Sequence, residues 1–190
     1  MKKASDIFVE NYGAVLSDRS RMAIDNIAVR CIYPKHSLIL DTGQICRSFY
    51  VIDKGMVRLF YYKDGRDVTE HFHGDGRIMY CIESLFLGKP TELMIEAIEN
   101  TELYELDYSE LNNLCDINVE IGRMCRHFFE IALIISQSKA DAWRFETAKE
   151  KYLRFLEDYP DVAKRASVSQ IATYLFMTPE TLSRVRSEIN

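Results

Sequence analysis

The residues with the clearest chemical potential stand near the carboxyl end, in Thr178-Pro-Glu-Thr-Leu-Ser-Arg184 and the turn that follows. If this stretch is helical, Leu182, Val185 and Ile189 fall at i, i+3 and i+7 and mark a buried face. At about 100° per residue, Glu180, Ser183, Arg184 and Ser187 then point the other way. An arginine so placed can grip guanine O6 and N7 with two hydrogen bonds. A glutamate can accept from cytosine N4, and hydroxyls suit phosphates or base edges.

Such a helix needs an element to hold it, and the preceding residues supply one. Ser167 with Gln170 three residues later reads as a capping box ahead of Ile171, Ala172 and Leu175. Thr178 reads as the cap of the next helix, with Pro179 at its first position, where the missing N–H is harmless. Only Phe176 and Met177 lie between, so two short capped helices form a helix-turn-helix candidate. From Val162 to Asn190, Lys164, Arg165, Arg184 and Arg186 stand against Glu180 and Glu188, a local balance of +2 in a chain whose net charge is −5. That net charge excludes coating of nucleic acid by bulk charge and requires a local patch. The same pattern also fits a helix pair whose charged face is merely solvated.

At 190 residues the chain has room for one domain, or for a medium and a small one. The stretch from Ile32 to Leu106 reads as short strands rich in β-branched and aromatic residues, with turn signals at Lys54-Gly55, Asp64-Gly65 and Gly74-Asp75-Gly76. A jelly roll is expected there, with a helical lead-in over Ala4 to Val29. Ile117, Ile121, Met124, Phe128, Ile131 and Ile135 then recur at spacings of 4, 3, 4, 3 and 4, a heptad seam on a helix running from Ile117 to Ser138. A second stripe, Cys125, Phe129 and Ala132, suggests two partners for this helix. The seam is expected to face a second subunit and the stripe its own roll, the alternative being one large core. A polar helical stretch follows, with Trp143, Tyr152, Leu153, Phe155 and Leu156 on its apolar side and Pro160 at its end. The fold class is thus α+β. Residues 1–116 form a sensor jelly roll, 117–138 a dimerisation helix and 139–190 a small helix-turn-helix domain without a full wing.

The order of roll, long helix and IATYLFMTPETLSRVRSEI resembles the Crp/Fnr family of bacterial transcription regulators, whose cyclic-nucleotide-binding-like jelly roll precedes a helix-turn-helix domain. The resemblance implies that Glu180 and Arg184 read bases and that Thr181 and Ser183 support them. Ser187, Arg186 and Lys164 are taken as further DNA contacts. It also implies a double-stranded DNA operator, a homodimer, RNA polymerase and an unidentified small-molecule effector as partners. Family members usually carry Gly where Phe176 stands, so Phe176 must take a positive φ or find another turn. The sequence stops at Asn190, which leaves no room for a winged hairpin.

In nucleotide-binding relatives a cassette between two strands supplies a Gly-Glu pair for ribose and an Arg for phosphate. The matching stretch is CIESLFLGKPTELMIEA, where Glu83, Ser84, Thr91 and Glu92 are the candidate effector contacts. Ile82 replaces the Gly, and Thr91 or Glu92 stands where the Arg belongs. From Glu83 to Glu110 eight acidic residues face Lys89 alone, so cyclic AMP is not the expected ligand.

One rival reading begins at Gly65, separated by five residues from His71-x-His73, a spacing that resembles the first metal motif of cupin enzymes. The expected carboxylate is replaced by Arg77 and Ile78, and two histidines alone make a weak site. With no other catalytic constellation evident, neither an enzyme, a metal nor a cofactor is expected. Cys31, Cys46, Cys81, Cys115 and Cys125 show no Cys-x-x-Cys pair and read as buried reduced thiols. No apolar run suits a signal peptide or membrane span, so a cytoplasmic protein is expected.

Overall fold

A computed structural model describes residues 2–189, apart from the side chains of residues 141–143, so Trp143 lies outside the described residues. Helices α1 (Ala4–Tyr12) and α2 (Asp18–Ile27) lead into strand β1 (Ala28–Tyr33), followed by β2 (Leu38–Leu40), β3 (Ser48–Lys54), β4 (Val57–Lys63), β5 (Arg66–His73) and β6 (Ile78–Met79). A short helix α3 (Ile82–Leu87) precedes β7 (Met94–Ala97) and β8 (Thr101–Asp107). The rest is helical: α4 (Tyr108–Ile117), α5 (Val119–Phe145), α6 (Ala148–Asp158), α7 (Pro160–Arg165), α8 (Val168–Tyr174) and α9 (Pro179–Ile189).

Two antiparallel four-stranded sheets, ordered β1-β8-β3-β6 and β2-β7-β4-β5, form the expected roll. The hairpin β4–β5 turns on Asp64-Gly65, with φ of 51° and 73°, as a two-residue loop between twisted strands demands. Strand alternation divides the second sheet between two cores. Val57, Leu59 and Ile95 join Ile52 and Leu103 in the main core, whereas Phe72, with Met56 and Ile98 at adjoining turns, packs with the carboxyl-terminal helices. The small helical domain therefore completes its core on the roll.

The long helix runs on to Phe145 rather than ending at Ser138, and it differs from expectation in two further ways. It starts at Val119 rather than Ile117, because Asn118 leaves helical geometry and its side chain accepts from the N–H groups of Glu120 and Ile121 (3.0 and 3.3 Å). Ile117 consequently ends α4 and is exposed. The seam is also turned inward. Ile121, Met124 and Phe128 are 0%, 5% and 7% exposed within a single chain and pack on Phe49 and Tyr12, the Phe128 ring lying 5.9 and 5.4 Å from those two rings. They cannot contact a second subunit; the apolar outer side of the first sheet is what covers them. Ile131 is half-buried and Ile135 exposed, while the second stripe, Cys125 and Phe129, borders an open groove.

The β3–β4 turn seats the roll's end. Gly55 has φ of 120°, and a Cβ there would lie 2.5 Å from Thr101 Oγ1, 2.7 Å from Thr101 Cα and 2.9 Å from the Asn100 carbonyl oxygen. Two of these are backbone atoms of the facing turn, which cannot swing aside. Gly55→Ala is expected to destabilise the protein by about 2 kcal/mol or more, combining overpacking with a disallowed φ. Urea unfolding followed by circular dichroism checks this, and an unchanged midpoint would contradict the seating.

Candidate nucleic-acid interface

The two short helices form by the local signals read above. Ser167 Oγ accepts from the Gln170 N–H at 3.2 Å, and Gln170 Oε1 accepts from the Ser167 N–H at 3.0 Å. Thr178 Oγ1 accepts from the Thr181 N–H at 3.2 Å. Between the helices the Met177 N–H reaches back to the Ala172 carbonyl (2.9 Å) and the Phe176 N–H to that of Thr173 (3.1 Å), the paired bonds of a Schellman turn. That turn requires a left-handed residue, and Phe176 adopts φ of 56°. Of the two alternatives open to Phe176, the positive φ is realised.

On α9, Leu182 and Val185 are buried with Ile171, Ala172, Leu175 and Phe155. Glu180, Ser183, Arg184 and Ser187 are exposed together on the outer face, and Thr181 is half-buried beside its cap. A hydrogen bond from the Thr178 hydroxyl, then one from its own N–H, hold the Glu180 carboxyl below its ordinary range, so it stands as an anion and an acceptor. Arg186 does not join this face. Its Nε donates to Tyr152 Oη at 3.1 Å and its guanidinium lies 5.4 Å from that ring's centre, binding α9 to α6. Lys164 is exposed, but neighbouring Arg165 is committed to the roll.

That commitment is part of a seam which the sequence did not announce. Arg165 Nε donates to Glu99 Oε2 at 3.0 Å, its Nη2 pairs with the other carboxylate oxygen, and Asp75 stands 3.8 Å away. The Thr69 N–H donates to Thr173 Oγ1 (3.2 Å), and the Phe72 and Tyr174 rings meet at 5.5 Å. From α5, Lys139 Nζ donates to the Glu70 carbonyl at 2.7 Å and lies 4.5 Å from the centre of the Tyr174 ring. Neither Lys139 nor Thr173 sits in a pattern that would have marked it.

The four cassette residues do not converge on a ligand. Glu83 and Glu92 are exposed. Buried Ser84 accepts from the Cys46 N–H (2.9 Å) and donates to the Lys89 carbonyl (2.5 Å), while buried Thr91 exchanges hydrogen bonds with the Leu93 backbone. Their hydroxyls hold the loop closed on itself. The one buried arginine among the described residues, Arg58, is already held by both Asp67 oxygens (2.6 and 2.7 Å) and by Glu96 (2.7 Å).

His71 and His73 do share a face of β5, with ring centres 6.0 Å apart. Their surroundings keep both imidazoles neutral but supply neither further ligands nor a clear approach for a metal. Lys139 Nζ is 3.3 Å from His71 Nδ1, a cation where a metal would have to approach. Burial, then the charges of Lys139 and His73, push His71 well below its ordinary value, and burial with the charges of Lys139 and Arg77 pushes His73 down to about 3. Among the described residues no group of three or more His, Cys, Asp or Glu could hold a metal ion.

Comparison with known proteins agrees with this arrangement. Residues 30–118 match the cyclic nucleotide-binding domain family. FixK2 from Bradyrhizobium japonicum is similar over 86% of this chain and 84% of its own, with 24% identity and a TM-score of 0.73. The catabolite activator protein of Thermus thermophilus is similar over 96% of this chain and 86% of its own (19% identity, TM-score 0.58). CLP of Xanthomonas campestris, a c-di-GMP-responsive global regulator, covers 86% and 87% (18% identity, TM-score 0.67). The chain has the fold that these solved proteins share. No curated protein matches it by sequence. The matched residues 30–118 include the loop that Ser84 and Thr91 hold closed. No helix among the described residues is long and apolar enough to cross a membrane.

The histidines give this domain a pH dependence whose sign is fixed. His73 has a lower proton affinity folded than unfolded, so the unfolded chain binds more protons between its ordinary value of 6.5 and about 3. Stability is fully present above about pH 6.5 and falls as pH drops through that window, by at most about 1.4 kcal/mol per pH unit for each such histidine. Urea unfolding between pH 7 and pH 5, above most carboxylate titration, is expected to show this slope. His73→Gln should flatten it; an unaltered slope would place the loss elsewhere.

Proposed function

We propose that the protein is a homodimeric, double-stranded DNA-binding transcription regulator of the cytoplasm and not an enzyme, with α9 as its reading helix. The observation that carries this is one face of α9: Arg184 and Glu180 stand exposed beside two serine hydroxyls, while the opposite face is locked into the domain core. Arg184 supplies the two-pronged donor for guanine, Glu180 the acceptor for cytosine N4, and Thr181, Ser183 and Ser187 the hydroxyls around them. Lys164 supplies phosphate contact. Arg186 acts indirectly, by fixing α9 against Tyr152.

Two copies pair through the carboxyl-terminal half of α5. There Leu133, Ile134 and Ile135 are 71%, 65% and 49% exposed, whereas the earlier turns carry Arg123, Arg126, His127 and Glu130 outward. A two-fold pair places two reading helices on half-sites roughly 34 Å apart. RNA polymerase is the further partner that this reading implies. The effector recognised by the roll is not an anionic cyclic nucleotide, because Arg58 is neutralised by Asp67 and Glu96 and the cassette presents Glu83 and Glu92 instead of a cation.

Selection of bound duplexes from a random pool is expected to yield a two-fold site. Arg184→Ala should then lose about 1 to 3 kcal/mol at one base position and relax preference there. Lys164→Ala should weaken all sequences alike and lower the salt slope by about 1. Equal small losses on every sequence from both variants would defeat specific reading. In calorimetry, cyclic AMP is expected to give no saturable heat with the full chain, and a tight isotherm would overturn the effector reading.

A further inference from the structure

The groove between α4 and α5 belongs neither to the reading face nor to the ligand cassette. It has a volume of about 450 Å³, opens to solvent, and is lined by Phe49, Leu111, Phe129 and Leu133 with Cys115 and Cys125 among them. Its floor is set by a close approach of two backbones. A Cβ on Gly122 would lie 3.2 Å from the Cys115 carbonyl oxygen and 4.0 Å from its Cα, so a larger residue would be tight against the end of α4 where α5 crosses it. Cys125 follows Gly122 by three residues, on the same side of α5, and therefore faces Cys115 across the crossing.

We propose that Cys115 and Cys125 are a peroxide-reactive thiol pair that closes to a disulfide and clamps α4 to α5. Both side chains line the same groove, and the interaction between them lowers the proton affinity of Cys115, while that interaction and burial push Cys125 up. Cys115 is thus the nucleophile, since the thiolate is the reactive form. Its thiolate attacks one oxygen of hydrogen peroxide, breaking the O–O bond, forming Cys115 sulfenic acid and releasing hydroxide. The Cys125 sulfur then attacks the sulfenic sulfur, the S–O bond breaks, and hydroxide leaves to combine with the Cys125 proton as water. Both thiols are oxidised by two electrons in total, and one peroxide is reduced to two waters.

Cys46 and Cys81 also lie together, but each is 1% exposed inside the roll, out of reach of an oxidant in solvent. The open pair has a mechanical consequence as well. Helix α4 continues directly from β8, and α5 carries the chain to the helix-turn-helix, so a bond between them joins the sheet to the element that leads to α9. This inference stands on the groove alone and does not depend on DNA binding.

The test treats the reduced full-length protein with hydrogen peroxide and maps its peptides. Alkylatable thiols are expected to fall from five to three, with one cross-linked peptide joining Cys115 to Cys125 and full recovery on adding dithiothreitol. In Cys125→Ser, a sulfenic-acid trap should label Cys115; in Cys115→Ser it should leave Cys125 unlabelled. A link between Cys46 and Cys81, or five alkylatable thiols after treatment of the unaltered protein, would overturn the proposal. Labelling of Cys125 in Cys115→Ser would overturn the assigned roles.

Discussion

The structure depends on the burial of one stripe of α5. Ile121, Met124 and Phe128 lie in a nest of rings from Phe49, Tyr12 and Tyr80, each within about 6 Å of Phe128. Stripes of this size bury on the order of 1.5 to 3 kcal/mol of transfer free energy per side chain, enough to fix the rotation of the helix about its axis. Once that rotation is fixed, everything else on α5 has its direction. Glu120 turns toward α2, where it accepts from the Ser17 N–H and from the hydroxyls of Ser17 and Ser20 (2.8, 2.7 and 2.5 Å). Cys125 and Phe129 turn toward α4, and Leu133 and Ile134 toward solvent. Five turns beyond Ile121, Lys139 arrives at the edge of β5.

The second constraint follows from size. Helices α8 and α9 have 7 and 11 residues, too short to be stable alone in water. Their core includes Phe155 and Tyr152 from α6, but it is closed by Met56, Phe72 and Ile98 of the roll. Helix α9 is therefore oriented by the outer face of a β-sheet whose inner face lines the roll's own core. A shift of β5 reaches α8 through Phe72 and Thr69 without first passing along α5. The long helix and the sheet are two parallel connections between the same parts, and Lys139 touches both. Transmission along the helix alone would bypass the direct contacts of β5 with α8.

What the sequence revealed was what local chemistry decides. Asp64-Gly65, the Ser167–Gln170 box and the Thr178 cap each act within a few residues, and all three appear where their residue types put them. The strand region and the helical region were also legible, because periods of 2 and 3.6 are properties of the chain itself. The direction of the α5 seam was not. A heptad states that a helix has an apolar stripe and says nothing about which surface covers it, and the outer face of the first sheet is apolar enough to compete with a second subunit. The same limit applies to Arg165 and Arg186. Their charge was countable, but Glu99 and Tyr152 are 66 and 34 residues distant in sequence, so only the fold shows that both cations are engaged. In the cassette, the substitutions at Ile82 and Thr91 signalled a missing phosphate site, yet not that Ser84 and Thr91 would tie the loop shut.

Phe176 shows how these levels combine where α8 turns into α9. A left-handed conformation is roughly 1 to 2 kcal/mol dearer for an L-residue than for glycine. The two Schellman hydrogen bonds and the caps on either side over-determine the turn, so the chain has no cheaper route between α8 and α9 that keeps Ile171, Leu175 and Leu182 in one core. The strain is held by burial next door. Relaxing the turn would change the angle at which α9 leaves it, and with it the direction of Arg184 and Glu180. The angle between the helices is therefore a packing property of the domain, while the chemistry displayed by α9 is a property of its sequence.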